Sequence, residues 1–333
     1  MVVEDAALSA VQPLSGIFAC RSGARSATLT ATMSLALRTH AEIPILDRRA
    51  AARLDPDWLN AALLDADTRF VVSRGPAHLV RTEPSPQIAL LTSQHPGIAE
   101  LPASRLTLLG WFRGQRLLLA DLPEHYPLDV PGTAFRELRP LLGELPPGEA
   151  DVLGFARALV SWRARHRHCG VCGAPTAPKS AGHVMACTSE ICGADFFPRI
   201  DPAIIVLVTD GDYALLGRQK SWEPGRYSTL AGFVEPGETL EETVVREVEE
   251  ETGTRVTWAK YQSSQPWPFP QSLMLGFRAG AVRGPIQLLD GELEDARWFD
   301  CQQLRSGQQV GLPPPYTIAR QLIEGWLGER VAA

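Results

Sequence analysis

The apolar positions change rhythm along the chain, and each rhythm predicts a different kind of element. Between Ile43 and about Pro147 they come in short runs: Arg69–Ser73 (RFVVS), Ala77–Arg81 (AHLVR), Gln87–Thr92 (QIALLT) and Arg116–Ala120 (RLLLA). Short runs punctuated by Gly and Pro read as β-strands. Residues 41–150 are therefore expected to form a small strand-rich domain, with Pro146-Pro147-Gly148 as a linker. From 151 to 166 the period becomes helical, with Val152, Phe155, Ala156, Leu159 and Trp162 on one face. Ala203–Val208 (AIIVLV) is apolar without alternation, as in a strand covered on both faces, and a turn at Asp210-Gly211-Asp212 joins it to Tyr213–Arg218 as a hairpin. Further on, the pattern predicts an acidic helix at about 239–252, an aromatic and proline-rich loop at 264–272 and a strand at 273–279. A final amphipathic helix follows Leu312-Pro313-Pro314-Pro315 within 312–327.

The first 40 residues are rich in Ala, Ser and Thr with little periodicity and are expected to be disordered. Residues 8–20 have the apolar look of a secretory leader, but Glu4 and Asp5 are the only early charges and a leader begins basic. A cytoplasmic protein is expected. The 333 residues suffice for two or three domains at roughly 100–200 residues each. With 45% hydrophobic and 21% charged residues, collagen-like, coiled-coil and wholly disordered chains are excluded. No apolar run approaches the ~20 residues of a membrane span.

Four of the six cysteines fall within residues 169–192, which favours a metal site in a reducing compartment over a disulfide framework. Cys169-x2-Cys172 and Cys187-x4-Cys192 are two pairs, with Gly170, Gly173 and Gly193 directly after three of the four sulfurs. Glycine lets backbone N–H groups turn towards a thiolate, and four thiolates close a tetrahedron around Zn²⁺ with no open position. The site is then structural, one Zn²⁺ per chain. His183 could replace one sulfur. Arg157, Arg163, Arg165, Arg167 and Lys179 lie in an acid-free stretch, 152–189. That stretch suits either a nucleic-acid surface or a solvated helix end stabilised by its dipole.

The densest chemistry lies at 232–254. Glu247, Glu250 and Glu251 stand at i, i+3 and i+4, so their carboxylates share one helical face. Like charges that close are costly unless a cation sits among them, and hard oxygen ligands select Mg²⁺ or Mn²⁺. Val244, Val245 and Val248 would anchor the helix to a sheet, while Gly253 supplies its C-terminal stop. The formal net charge of −6 belongs here: residues 238–251 hold seven glutamates against one arginine. The rest of the chain is neutral, so the overall acidity does not argue against a nucleic-acid partner.

Gly-x5-Glu-x7-Arg-Glu-aliphatic-x-Glu-Glu-x-Gly resembles the signature of the Nudix hydrolases, matched at 232–253 without a gap. Thr254 stands where the family has an aliphatic residue, a packing position. A second segment, Ser264-Gln265-Pro266-Trp267-Pro268-Phe269-Pro270-Gln271-Ser272, is similar to the signature of the NADH pyrophosphatase subgroup, which also carries a four-cysteine ribbon before its Nudix domain. The resemblance implies an α/β/α Nudix sandwich at 198–333, preceded by a helix and zinc ribbon at 151–197 and the strand-rich domain. It implies metal-dependent hydrolysis of the pyrophosphate of NAD(H) to NMN(H) and AMP, with removal of NAD caps from RNA 5′ ends as a further activity. The alternatives are a Nudix hydrolase for another diphosphate such as ADP-ribose, or a zinc-ribbon nucleic-acid-binding module.

The resemblance also assigns residues. Glu247, Glu250, Glu251, Glu292 and Ala231 would belong to the Mg²⁺ or Mn²⁺ site, with Arg246 orienting a carboxylate. Glu294 and Asp295 are close competitors for the place of Glu292. The base is either a glutamate or metal-activated water. Substrate would meet residues 265–272 and Ala319, with Trp267 and Phe269 held out by prolines to stack on a base or ribose and Gln265, Gln271 and Ser272 hydrogen-bonding its edges. By the same resemblance Phe197 would stack on adenine, across a dimer interface. The homodimer is implied by the resemblance alone.

Overall fold

The structure, a computed structural model, describes residues 45–330 apart from 290 and 309. The expectations for residues 1–40, including the leader-like segment, lie outside the described residues.

The N-terminal half is built on an eight-stranded mixed sheet. All four apolar runs enter it, with changes. Arg69–Arg74 lies at its centre, parallel to Gln115–Leu122 and antiparallel to Ala77–Arg81. Phe70, Val71 and Val72 are all buried because helices cover both faces. Val71 packs towards the helix Glu149–Arg165, whereas Phe70 and Val72 pack towards Trp58 and Leu59 of the helix Pro56–Leu64. QIALLT is not one strand. It divides into Gln87–Ile88 and Leu90–Thr92, which pair with different neighbours. Leu46–Asp47, Leu106–Phe112 and Thr133–Glu137 complete this sheet and were not expected from the pattern.

Pro146-Pro147-Gly148 is not a free linker. Gly148 takes φ +81°, and a Cβ there would lie 2.8 Å from Ile45 Cγ2, so the break is packed against the domain it leaves. The helix that follows is held in the same core by Val152, Ala156, Leu159 and Trp162. Met185 of the cysteine-rich segment joins that core too. The segment itself is a three-stranded sheet of Thr176–Lys179, Val184–Cys187 and Asp195–Phe196.

The C-terminal region is an α/β/α sandwich. Its sheet runs Val256–Trp267, Ser272–Ala281, Asp201–Asp210, Tyr213–Arg218 and Asp295–Asp300, with Leu230–Phe233 also paired to Asp201–Asp210. Asp201–Asp210 and Ser272–Ala281 are parallel. The unbroken apolar run has its explanation in the two layers: Ile204, Val206 and Val208 pack with Val244 and Val248 of the helix Leu240–Thr252, while Ile205 and Leu207 pack with Leu322, Ile323 and Trp326 of the helix Ile318–Glu329. Val245 does not share the anchor and is 39% exposed. Thr239 and Glu242 close a reciprocal capping box at the start of the acidic helix, and Gly253 ends it at φ +65°. The aromatic and proline-rich segment is largely strand: Ser264–Trp267 finish Val256–Trp267, and only 268–271 form the turn of a long hairpin.

Candidate active site and zinc centre

The sulfurs of Cys169, Cys172, Cys187 and Cys192 lie within 4.8 Å of one another. Cys169 and Cys192 Sγ are 3.7 Å apart, and Cys172 and Cys187 Sγ 3.5 Å. A Zn–S bond of about 2.3 Å gives a tetrahedral edge of roughly 3.8 Å, so the four sulfurs are spaced for Zn²⁺. The Val171 and Ser189 N–H groups donate to Cys169 and Cys187 Sγ at 3.4 Å, the knuckle geometry that stabilises thiolate. The wider Cys187-x4-Cys192 spacing is absorbed by a turn in which Cys192 and Gly193 N–H both donate to the Ser189 carbonyl. His183 is not a ligand. It is buried against Phe155, and its Nε2 donates to the Leu108 carbonyl at 2.6 Å.

At the acidic helix, Arg246 is the organising side chain. It holds Glu238 through Nε and Nη2 (2.6 and 3.0 Å), Glu247 and Glu250 through Nη1 (2.8 and 3.0 Å), and the Phe233 carbonyl through Nη2 (2.9 Å). One guanidinium therefore positions two of the three glutamates and fastens the loop before the helix. The Arg246 contact also holds the Glu238 carboxyl down at about 2. Burial pushes Glu247 up, against the lowering effect of Arg246, and the neighbouring charges of Glu250 and Glu292 push the same way. The carboxylates of Glu247 and Glu251, both nearly buried, offer hard oxygens of the kind Mg²⁺ or Mn²⁺ takes, but the four cysteines are the only such group among the described residues whose donor atoms all lie within 4.8 Å, and the box glutamates are not drawn onto one point.

Glu251, 4% exposed, faces a cavity of about 260 Å³ between the sandwich and the N-terminal region. Ala231, Gln265, Trp267 and Ala319, all singled out from the sequence, line it as well. The other residues of 266–272 and Phe197 do not. Gln265 is fully buried, and its amide bridges two backbones: Nε2 donates to the Tyr316 carbonyl at 2.8 Å and Oε1 accepts from Ile318 N–H at 2.9 Å. Gln271 accepts from Arg165 and donates to Asp201. These amides brace the site. Trp267 and Phe269 are not held out; they meet edge-to-face at 5.1 Å and pack on the N-terminal core, so only Trp267 reaches the cavity.

Four further lining residues escaped sequence reasoning: Arg139, Trp222, Arg226 and Tyr316. Arg139 comes from the N-terminal region and lies 5.8 Å from the Trp267 ring and 5.5 Å from the Phe269 ring. None of the four lies in a motif.

The basic stretch is neither wholly solvated nor uniformly available. Arg163 is buried, donating to Thr107 Oγ1 at 2.6 Å and to the Ser104 carbonyl. Arg157 donates to the Pro268 and Pro76 carbonyls, and Lys179 pairs with Asp195 at 2.9 Å.

Fold and site together define a metal-dependent Nudix hydrolase carrying a separate zinc-ribbon module. Family models match in that order: the NADH pyrophosphatase-like rudimentary NUDIX domain at 67–162, the NADH pyrophosphatase zinc ribbon domain at 164–197 and the NUDIX domain at 199–320. The NAD-capped RNA hydrolase NudC of Stutzerimonas stutzeri is 43% identical over 232 residues, 70% of this chain and 81% of that protein. The corresponding NudC of Pseudomonas aeruginosa (strain LESB58) is 42% identical over 234 residues, again 70% and 81%. The NAD-capped RNA hydrolase NUDT12 of Homo sapiens is 34% identical over 334 residues, 85% of this chain and 72% of that protein. The chain belongs to the Nudix hydrolases, in the NADH pyrophosphatase subgroup that carries the zinc ribbon.

Proposed function

We propose that this chain hydrolyses the pyrophosphate bond of NAD(H) to NMN(H) and AMP, and removes NAD from the 5′ ends of RNA. The observation that carries the reading is the shared cavity: a buried acidic residue of the Nudix box, Glu251, lines the same wall system as Trp267 and Ala319 of the subgroup motifs. The activities named for the relatives support it.

In this reading Glu247, Glu250, Glu251, Glu292 and the Ala231 carbonyl would hold Mg²⁺ or Mn²⁺, an ion that would, when bound, offset diphosphate charge and lower the pKa of a water. Arg246 fixes the carboxylates. Trp267 offers a stacking face, and Arg139 and Arg226 bring positive charge to a ligand that carries a diphosphate. The protein acts in the cytoplasm as a homodimer. The exposure of Phe197 (63%), Ile200 and Phe233 supports a partner surface, because the first two lead into the strand against which Phe233 pairs. Residues 198–333 form the hydrolase unit and 166–197 the ribbon; the preceding helix serves the N-terminal unit, whose core it shares.

The test is turnover of NADH, NAD⁺, ADP-ribose and a 5′-NAD RNA by one preparation with Mg²⁺ or Mn²⁺. Preference for ADP-ribose over NADH overturns the assignment. Glu250→Gln is expected to abolish turnover with an unchanged melting temperature; retained activity removes Glu250 from the metal site.

A further inference from the structure

We propose that an arginine-lined trough beside the helix Glu149–Arg165 binds the phosphodiester chain of single-stranded RNA whose capped 5′ end occupies the catalytic cavity. The inference rests on the function proposed above for its substrate, and on the following geometry for its site.

A groove of about 930 Å³ lies between the first sheet, this helix and the ribbon, with Arg74, Arg105, Arg163 and Arg167 in its walls against Asp121 and Glu124. A smaller one of about 200 Å³ shares Gly75, Pro76, Val160 and Ala164 with it and adds Arg157 and Arg165. Those two arginines reach the tip of the long hairpin: Arg157 Nε donates to the Pro268 carbonyl and Arg165 Nη1 to Gln271 Oε1, each at 2.9 Å. The Phe269 ring then has Arg157 at 5.0 Å and Arg139 at 5.5 Å, and Arg139 lines the catalytic cavity beside Trp267. Guanidinium groups therefore follow one another from the cavity to the ribbon.

The charge in the trough is in surplus. Arg163, Arg105 and Arg167 all act on one carboxylate, Asp121. Arg105 is a distant partner at 3.8 Å, and the exposed Arg167 guanidinium makes no ion pair or hydrogen bond among the described residues. A groove walled by protein focuses such a field on an anion. Its several guanidiniums, spread over two adjoining grooves, suit an extended polyanion rather than a single phosphate.

The probe is a fluorescent ten-nucleotide RNA with a 5′ monophosphate, titrated by anisotropy into the full chain. Its Kd is expected to rise about tenfold in Arg105→Glu/Arg167→Glu, with the salt slope falling by about 1.4 for two lost single-strand phosphate contacts. Arg105→Lys/Arg167→Lys, which keeps the charge, is expected to restore binding. The ratio of kcat/KM for an NAD-capped decamer to that for NADH should fall about tenfold in the Glu variant. Unaltered binding in that variant, or no salt-dependent binding by the wild type, overturns the trough. A wild type that binds the RNA through these arginines yet hydrolyses neither NADH nor the capped decamer supports the trough and overturns the functional reading instead.

Discussion

The Glu247 carboxylate fills the space in which a side chain at Gly232 would begin: an ideal Cβ there would lie 1.8 Å from Glu247 Cδ. Glycine at the head of the Nudix box is thus required by a glutamate fifteen positions on, through close approach rather than through an unusual φ. The neighbouring Arg246 holds the same carboxylate at 2.8 Å.

Gly232→Ala is therefore expected to displace Glu247 and lower kcat for NADH about 100-fold, the scale of a misplacement of ~1 Å in an active site. Steady-state kinetics at saturating Mn²⁺ check this, and a wild-type kcat would show that the carboxylate relocates without cost.

Gln265→Leu should act on stability before chemistry. It removes the amide that joins the Tyr316 carbonyl to the Ile318 N–H, leaving buried backbone groups unsatisfied at about 1–3 kcal/mol. Urea denaturation reads the loss. A midpoint equal to wild type would mean the 313–319 segment does not depend on this bridge.

Zinc removal should be felt outside the ribbon, because Met185 packs in the core of the N-terminal region and Phe196 packs against it. About one Zn²⁺ per chain is expected by metal analysis, with Cys169→Ser losing it and melting earlier. A zinc-free preparation with full stability and activity contradicts the structural role.

Two buried histidines set an acid limb. Burial pulls His78 down to about 3 and His183 down to about 4, from an ordinary value of 6.5. Both folded values are depressed, so the stability they contribute is complete above pH 6.5. It declines as pH falls from 6.5 towards 4 for His183 and towards 3 for His78, by about 1.4 kcal/mol per pH unit for each. His183→Gln keeps a donor for the Leu108 carbonyl and should flatten the limb by one proton. Urea midpoints at pH 7.5, 6 and 5 measure it; parallel curves for variant and wild type would exclude His183.

Much of the site was legible because its chemistry is local. The glutamates sit within one helical turn and the cysteines within two knuckles; spacing alone brings the four sulfurs together, and it sets the glutamates on one helix without bringing their carboxylates to one point. The capping box Thr239/Glu242 and the Gly253 stop bound the helix by equally local means. Legibility failed where one segment serves two purposes. The prolines and aromatics of 264–272 look like an exposed binding loop, yet most of the segment is strand or core, because Trp267 and Phe269 find a second domain to pack against. Arg163 looked like solvated charge and is buried, since Thr107 and Ser104 supply partners more than fifty residues away.

The sequence by itself determined the Nudix helix, the zinc ligands, the sandwich core and the family, all of which rest on periodicity or fixed short spacings. Tertiary structure alone decided that Arg139 and Tyr316 share the cavity with Glu251, that Gln265 braces it, and that His183 is no zinc ligand. Those facts depend on contacts between segments far apart in the chain, whose approach is set by packing of whole sheets and helices and leaves no period or spacing in the sequence.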